Sequence, residues 1–153
     1  MAIGWKRICC PIDFSEPSRV ALRAAVDLCT TFGAELTLFH SYQLPGYTLP
    51  EGSVVASPKM LQELADQAES HLADWRKIAA EMGAREPRTA KSVGEPAVEI
   101  VEFARETHQD LLVVGTHGRT GLRHALLGST AERVVRRAGC PVLTIHPEGK
   151  GRQ

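Results

Sequence analysis

The chain has 153 residues, 43% of them hydrophobic and 24% charged, an ordinary globular composition at the length of one domain. Eighteen basic residues balance eighteen acidic ones, so no overall field draws the protein to nucleic acid or to an anionic membrane. The opening Met1-Ala2-Ile3-Gly4-Trp5-Lys6-Arg7 lacks the apolar core of a signal peptide and no apolar run approaches a membrane span, so a soluble, cytoplasmic protein is expected.

Arg7 to Ile12 reads as the first strand, an apolar run suited to a parallel strand covered on both faces. Its neighbours Cys9 and Cys10 should point to opposite faces. With Cys29 and Cys140 they fit no zinc spacing, and all four are expected to be reduced thiols acting as small hydrophobes. The first helix opens near Ser15-Glu16-Pro17-Ser18, carries Val20, Ala21, Ala24, Ala25, Leu28 and Phe32 at helical spacing, and closes on Gly33. A second strand covers Glu35 to Ser41. Residues 43–57 read as a flexible loop, after which Ser57-Pro58 opens the longest helix. Its stripe of Leu61, Leu64, Ala68, Leu72, Trp75, Ala79 and Met82 reads as core packing, and Gly83 ends it. The third strand, Pro87 to Val93, is polar enough for a sheet edge. Pro96 starts a third helix with Ile100, Val101 and Ala104 inward. Asp110 to Gly115 is the purest apolar run and predicts a central strand. The last helix spans Thr130 to Ala138, with Val134 and Val135 inward and Arg133, Arg136 and Arg137 outward. The final strand is Val142 to His146, followed by a polar tail over 148–153.

Five strands alternating with four helices predict an α/β fold: a Rossmann-like, doubly wound parallel sheet with helices on both faces, one domain over residues 1–153. Ligand sites in such sheets lie at the C-terminal ends of strands, where the winding reverses. Pro11-Ile12-Asp13 and Gly115-Thr116-His117-Gly118 both sit at such ends. The second begins a glycine-rich stretch, Gly115-x-x-Gly118, nine residues, then Gly128-Ser129, that runs into a helix. Glycine permits positive φ and close approach of a ligand, and the N–H groups of a helix start suit a polyphosphate. Ser129 and Glu132 have the spacing of a capping box. The same glycines would also serve simply to turn a strand into a helix. A P-loop is excluded, because Gly-Lys-Ser and Gly-Lys-Thr occur nowhere. Gly115, Gly118 and Gly121 follow a late strand rather than the first, which excludes the dinucleotide fingerprint.

This spacing, followed by Gly139-Cys140-Pro141-Val142-Leu143, resembles the nucleotide-binding branch of the universal stress protein family. Ile8 to Ser15 is similar to that family's opening strand, Ala34 to His40 to its second, and Val93-Gly94-Glu95-Pro96 to its third strand-to-helix turn. The likeness covers roughly residues 5 to 147. It implies the strand order 3-2-1-4-5, with first and fourth strands side by side, and an ATP site. In that site Pro11 and Ser41 would wall the adenine, Ser41 mostly through its backbone. Asp13 would hydrogen-bond the ribose hydroxyls, the alternative being a cap on the helix that follows. Gly118, Gly128 and the Ser129 hydroxyl are the phosphate candidates, with Val114, Gly115 and Thr130 beside them. Arg119 either adds charge near the β- or γ-phosphate or is simply solvated. His117 lies beside the site without a partner carboxylate near it in sequence, and no residue is assigned a catalytic role. No acidic cluster is dedicated to Mg²⁺, so any metal would ride on the triphosphate.

The expected function is an ATP-binding regulator of the stress response with slow or no hydrolysis. The alternatives are an ATPase or phosphotransferase using His117 and Arg119, and a nucleotide-free dimerisation module of the same family. Val142 to His146 would form an apolar edge without a charge to blunt it, and a homodimer through that edge is expected, as the resemblance also implies. No nucleic-acid or membrane partner is expected, and any protein partner is unidentified.

Overall fold

The computed structural model describes residues 4–44, 47–49, 52–54, 56–117 and 127–147. In chain order the elements are β1 (Arg7–Pro11), α1 (Glu16–Phe32), β2 (Glu35–Tyr42), β3 (Tyr47–Leu49), β4 (Gly52–Val54) and α2 (Pro58–Glu81), then β5 (Arg88–Val93), α3 (Pro96–Glu106), β6 (Leu111–Gly115), α4 (Ser129–Arg137) and β7 (Val142–Ile145).

The helix boundaries follow from local chemistry. Ser15 caps α1, its side chain accepting from the Ser18 N–H, and Pro17 sits in the first turn where its missing N–H costs nothing. At the other end Gly33 takes φ 65°, and its N–H returns to the Cys29 carbonyl. Ser57 caps α2 in the same way, with the Met60 N–H donating at 3.2 Å.

Five strands form one parallel sheet in the order β5-β2-β1-β6-β7, which is 3-2-1-4-5 when only the strands of this sheet are counted. The polar strand β5 is at one edge and β7 at the other. β6 lies between β1 and β7, and Leu111, Leu112, Val113 and Val114 are all buried. The two faces carry separate cores. Leu22, Val26, Leu72 and Trp75 of α1 and α2 pack on one, and Ile100, Ala104, Ala131 and Val134 of α3 and α4 on the other. Cys10 belongs to the first core and Cys9 to the second, as strand alternation requires. All four cysteines are free thiols. Burial pushes Cys9 and Cys10 well above the usual thiol range and Cys29 up to about 12.

Several sequence expectations are corrected. Within 43–57, β3 and β4 pair antiparallel as a hairpin, with Tyr47 opposite Val54 and Leu49 opposite Gly52. Tyr, Thr and Val favour strand geometry and override the Pro- and Gly-rich composition. Leu61 and Leu64 are only half-buried, as is Val101. Val135, expected inward, is 44% exposed, because the short α4 touches the core mainly through Ala131 and Val134. Among the described residues no helix is long and apolar enough to cross a membrane.

Candidate functional site

β1, β2 and β6 end side by side, and the chain leaves β1 toward one edge of the sheet and β6 toward the other. This reversal opens a crevice at the strands' C-terminal ends. A cleft of about 570 Å³ lies there, with Pro11, Phe39, Pro96, Ile100 and Val114 among its apolar walls. Its polar lining includes Asp13, Ser41, Gln43, His117, Ser129 and Thr130. The cleft is therefore lined by both apolar and polar side chains.

Asp13 is fixed by the turn from β1 into α1. Its Oδ1 accepts from the Ser15 N–H at 3.0 Å, from the Ser15 hydroxyl, and from the Ser18 hydroxyl at 2.7 Å. Ser18 in turn accepts from the Asp13 N–H at 3.0 Å, which satisfies that nearly buried hydroxyl. Ser15, not Asp13, is the helix cap; Asp13 braces the cap and also lines the cleft. Between them Phe14 has φ 65°, a left-handed conformation that costs a non-glycine residue on the order of 1 to 2 kcal/mol. Its ring packs against His40 at 4.4 Å, His71 at 5.0 Å and Trp75 at 5.7 Å between centroids, contacts that offset the strain. His40 also fixes the end of β1, its Nδ1 donating to the Ile12 carbonyl at 2.8 Å. The Ser41 hydroxyl donates to the Gly94 carbonyl at 2.8 Å, so it ties β2 to the turn before α3.

Ser129 and Thr130 stand at the start of α4. Gly128 is its N-cap and makes no side-chain cap bond. The first intrahelical bond runs from the Glu132 N–H to the Gly128 carbonyl at 3.0 Å, so the N–H groups of Ser129, Thr130 and Ala131 have no partner within the helix. Together with the helix dipole they suit an anion. The expected capping box does not form. Ser129 is the first helical residue, one position too late to cap, and Glu132 pairs with Arg136 at 2.9 Å instead. Gly128 has φ −66°, so positive φ is not what requires glycine there. Its N–H donates to the Thr116 carbonyl, and a Cβ would lie 3.0 Å from that backbone oxygen. Gly115 is constrained alike, with a Cβ position 3.0 Å from the Pro17 carbonyl oxygen. Thr116 is fully buried, and its Oγ1 lies 3.0 Å from His117 Nδ1.

Glu95 caps α3, its carboxylate accepting from the Ala97 and Val98 N–H groups at 3.4 and 3.3 Å. Arg133 of α4 donates to the same carboxylate at 2.6 Å.

Pro11, Asp13, Ser41, Val114, Gly115, Gly128, Ser129 and Thr130 thus line one cleft, whereas Gly118 and Arg119 lie outside the described residues. Sequence reasoning missed Ser18, Phe39, Tyr42, Gln43, Pro96 and Ile100. Tyr42 ends β2 and Gln43 follows it, which is a usable signal; Phe39 and Ile100 read as ordinary core and carry none. Among the described residues no group of three or more His, Cys, Asp or Glu side chains is placed to hold a metal ion.

Fold and cleft define a doubly wound α/β protein with an anion-receptive crevice at its switch point. Residues 4–146 match the universal stress protein family, and the chain belongs to that family. It is 40% identical over 143 residues to universal stress protein MJ0531 of Methanocaldococcus jannaschii, covering 92% of this chain and 82% of that one. It is 34% identical over 140 residues to universal stress protein YxiE of Bacillus subtilis, covering 88% and 94%. Among solved structures, universal stress protein UspA from Lactobacillus plantarum superposes with a TM-score of 0.79 at 26% identity, covering 94% of this chain and 99% of that one.

Proposed function

We propose that the protein binds ATP in this cleft and acts as a cytoplasmic regulator of the stress response, hydrolysing the nucleotide slowly or not at all. The observation that carries the reading is the convergence of the braced Asp13 carboxylate and the open N-terminus of α4 on one partly apolar crevice. Adenine lies in the cleft beside Pro11 and Ser41, the ribose hydroxyls bond Asp13, and the phosphates meet the first turn of α4 at Ser129 and Thr130. Val114, Gly115 and Gly128 line the path between, and Gly118 and Arg119 complete the phosphate end. Mg²⁺ is carried on the triphosphate with water as its main ligand. Proteins of the same fold have been solved in complex with cAMP, at a TM-score of 0.74 and 24% identity, and with dAMP, in Archaeoglobus fulgidus universal stress protein, at 0.63 and 24%. An adenine nucleotide is therefore compatible with the fold.

Calorimetric titration tests the reading. Wild-type protein takes up one ATP per chain, and Asp13→Ala weakens ATP by about tenfold, the worth of one hydrogen bond to a charged group, while inorganic tripolyphosphate binds nearly as before. Equal losses for both ligands would assign Asp13 to the turn alone. In single turnover the rate stays far below the enzyme median of about 10 s⁻¹; a rate near that value would make the protein an ATPase.

A further inference from the structure

α4 has only nine residues, too few to hold a helix by propensity, and lacks a side-chain cap. Tertiary contacts must therefore set where its N-terminus points. Ala131 and Val134 seat one side of it on the core, and the Gly128–Thr116 bond holds its start. A polar tie also joins α4 to the residue before α3: Arg133 Nη1 to Glu95 Oε1 at 2.6 Å. Glu95 is not a floating partner. Its carboxylate is oriented by two backbone N–H groups of α3, and the positive end of that helix favours its charge. The next residue, Pro96, lines the cleft at the first turn of α3. Arg133 is four residues after Ser129 and three after Thr130, one helical turn along the same side of α4.

We infer that Glu95 and Arg133 form a clamp that fixes the distance between the Pro96 wall and the α4 N-terminus, so that the cleft favours a ligand spanning both over either half of that ligand. The inference rests on the nucleotide reading given above and adds two positioning residues that do not themselves need to touch ligand. The two side chains are 42% and 36% exposed, so the pair contributes little to global stability. Its effect falls on a ligand that must meet both sides at once, because a loose α4 must be ordered when such a ligand binds.

The test compares ATP with its halves, adenosine and inorganic tripolyphosphate, on wild-type, Arg133→Met and Glu95→Gln proteins, by displacement of a fluorescent ATP analogue. Arg133→Met keeps the aliphatic stem and leaves the α3 cap intact. In Glu95→Gln the single amide oxygen can accept from one of the two α3 N–H groups, so that cap is kept in part while the charge is lost. Each variant should weaken ATP about fivefold, the scale of one partly exposed ion pair, with adenosine and tripolyphosphate changed less than about twofold. Arg133→Lys should recover most of the loss, and thermal midpoints should stay near wild type. Either single variant suffices if the other does not fold. Unchanged ATP affinity overturns the clamp. A parallel loss for tripolyphosphate also overturns it and makes Arg133 a direct electrostatic contact. Wild-type protein that binds none of the three ligands instead removes the nucleotide reading, and the clamp with it.

Discussion

A Cβ on residue 128 would stand 3.0 Å from the Thr116 carbonyl oxygen, the acceptor of that residue's own N–H. Any side chain there pushes the start of α4 away from the end of β6. Gly128→Val should therefore weaken ATP at least tenfold in calorimetry by misplacing the phosphate end, while the fold survives because the position borders the cleft; unchanged affinity in the folded variant would show that α4 does not meet phosphate. The glycine spacing marks this position in the sequence, but for a different reason. Spacing alone suggests positive φ, and close approach of two backbones is found. Local sequence cannot report that approach, since Thr116 is twelve residues away and meets Gly128 only in the folded chain. Phe14 is illegible for the same reason: a left-handed aromatic has no sequence mark, and its conformation holds through contacts with His40, His71 and Trp75 on other elements. Pro11 and Asp13 are legible because they stand at or just after the end of β1, whereas Ser41 is legible through the family resemblance.

Among the elements, boundaries with a chemical signature are readable: Ser15 and Gly33 for α1, Ser57-Pro58 for α2, Pro96 for α3. How deep each turn of α2 sits is not: Leu61 and Leu64 continue its stripe at helical spacing yet are only half-buried, whereas Leu72 and Trp75 reach the core. The thiols of β1 and α1 make a prediction about pH. Burial raises Cys9, Cys10 and Cys29 in the folded state above the ordinary thiol value, so the unfolded chain loses these protons first. Their contribution is fully present below about pH 9 and is lost as pH rises through the folded-state values. Urea midpoints should fall above about pH 9, and Cys10→Val should make that fall shallower. An equally steep fall in the variant would assign the alkaline limb to other groups.

For the whole molecule, the two edges of the sheet differ. β5 carries Arg88 and Lys91, paired with Glu35 at 3.4 Å and with Glu69, whereas β7 carries no charge. An uncharged edge is a template for another strand, and we propose that two copies join there through residues Val142 to His146. Leu143 is 37% exposed and Ile145 packs against the core, so Leu143→Lys is the substitution that tests the edge without entering the interior. Sedimentation should give a wild-type dimer at micromolar concentration and a monomeric variant with an unchanged thermal midpoint; a monomeric wild type contradicts the proposal. The alternation of strands and helices makes a doubly wound parallel sheet legible, the family resemblance alone supplies the order 3-2-1-4-5, and the observed sheet has that order. The cleft's full lining is not legible, since Phe39, Pro96 and Ile100 reach it only through the packing of α3 on the sheet.

A crystal structure of the protein grown with ATP and Mg²⁺ decides whether an adenine nucleotide sits at the switch point. Adenine density is expected beside Pro11 and Ser41, with ribose hydroxyls within hydrogen-bond distance of Asp13 and phosphates against the first turn of α4. An empty cleft at saturating ATP, or nucleotide bound elsewhere on the surface, would contradict that placement.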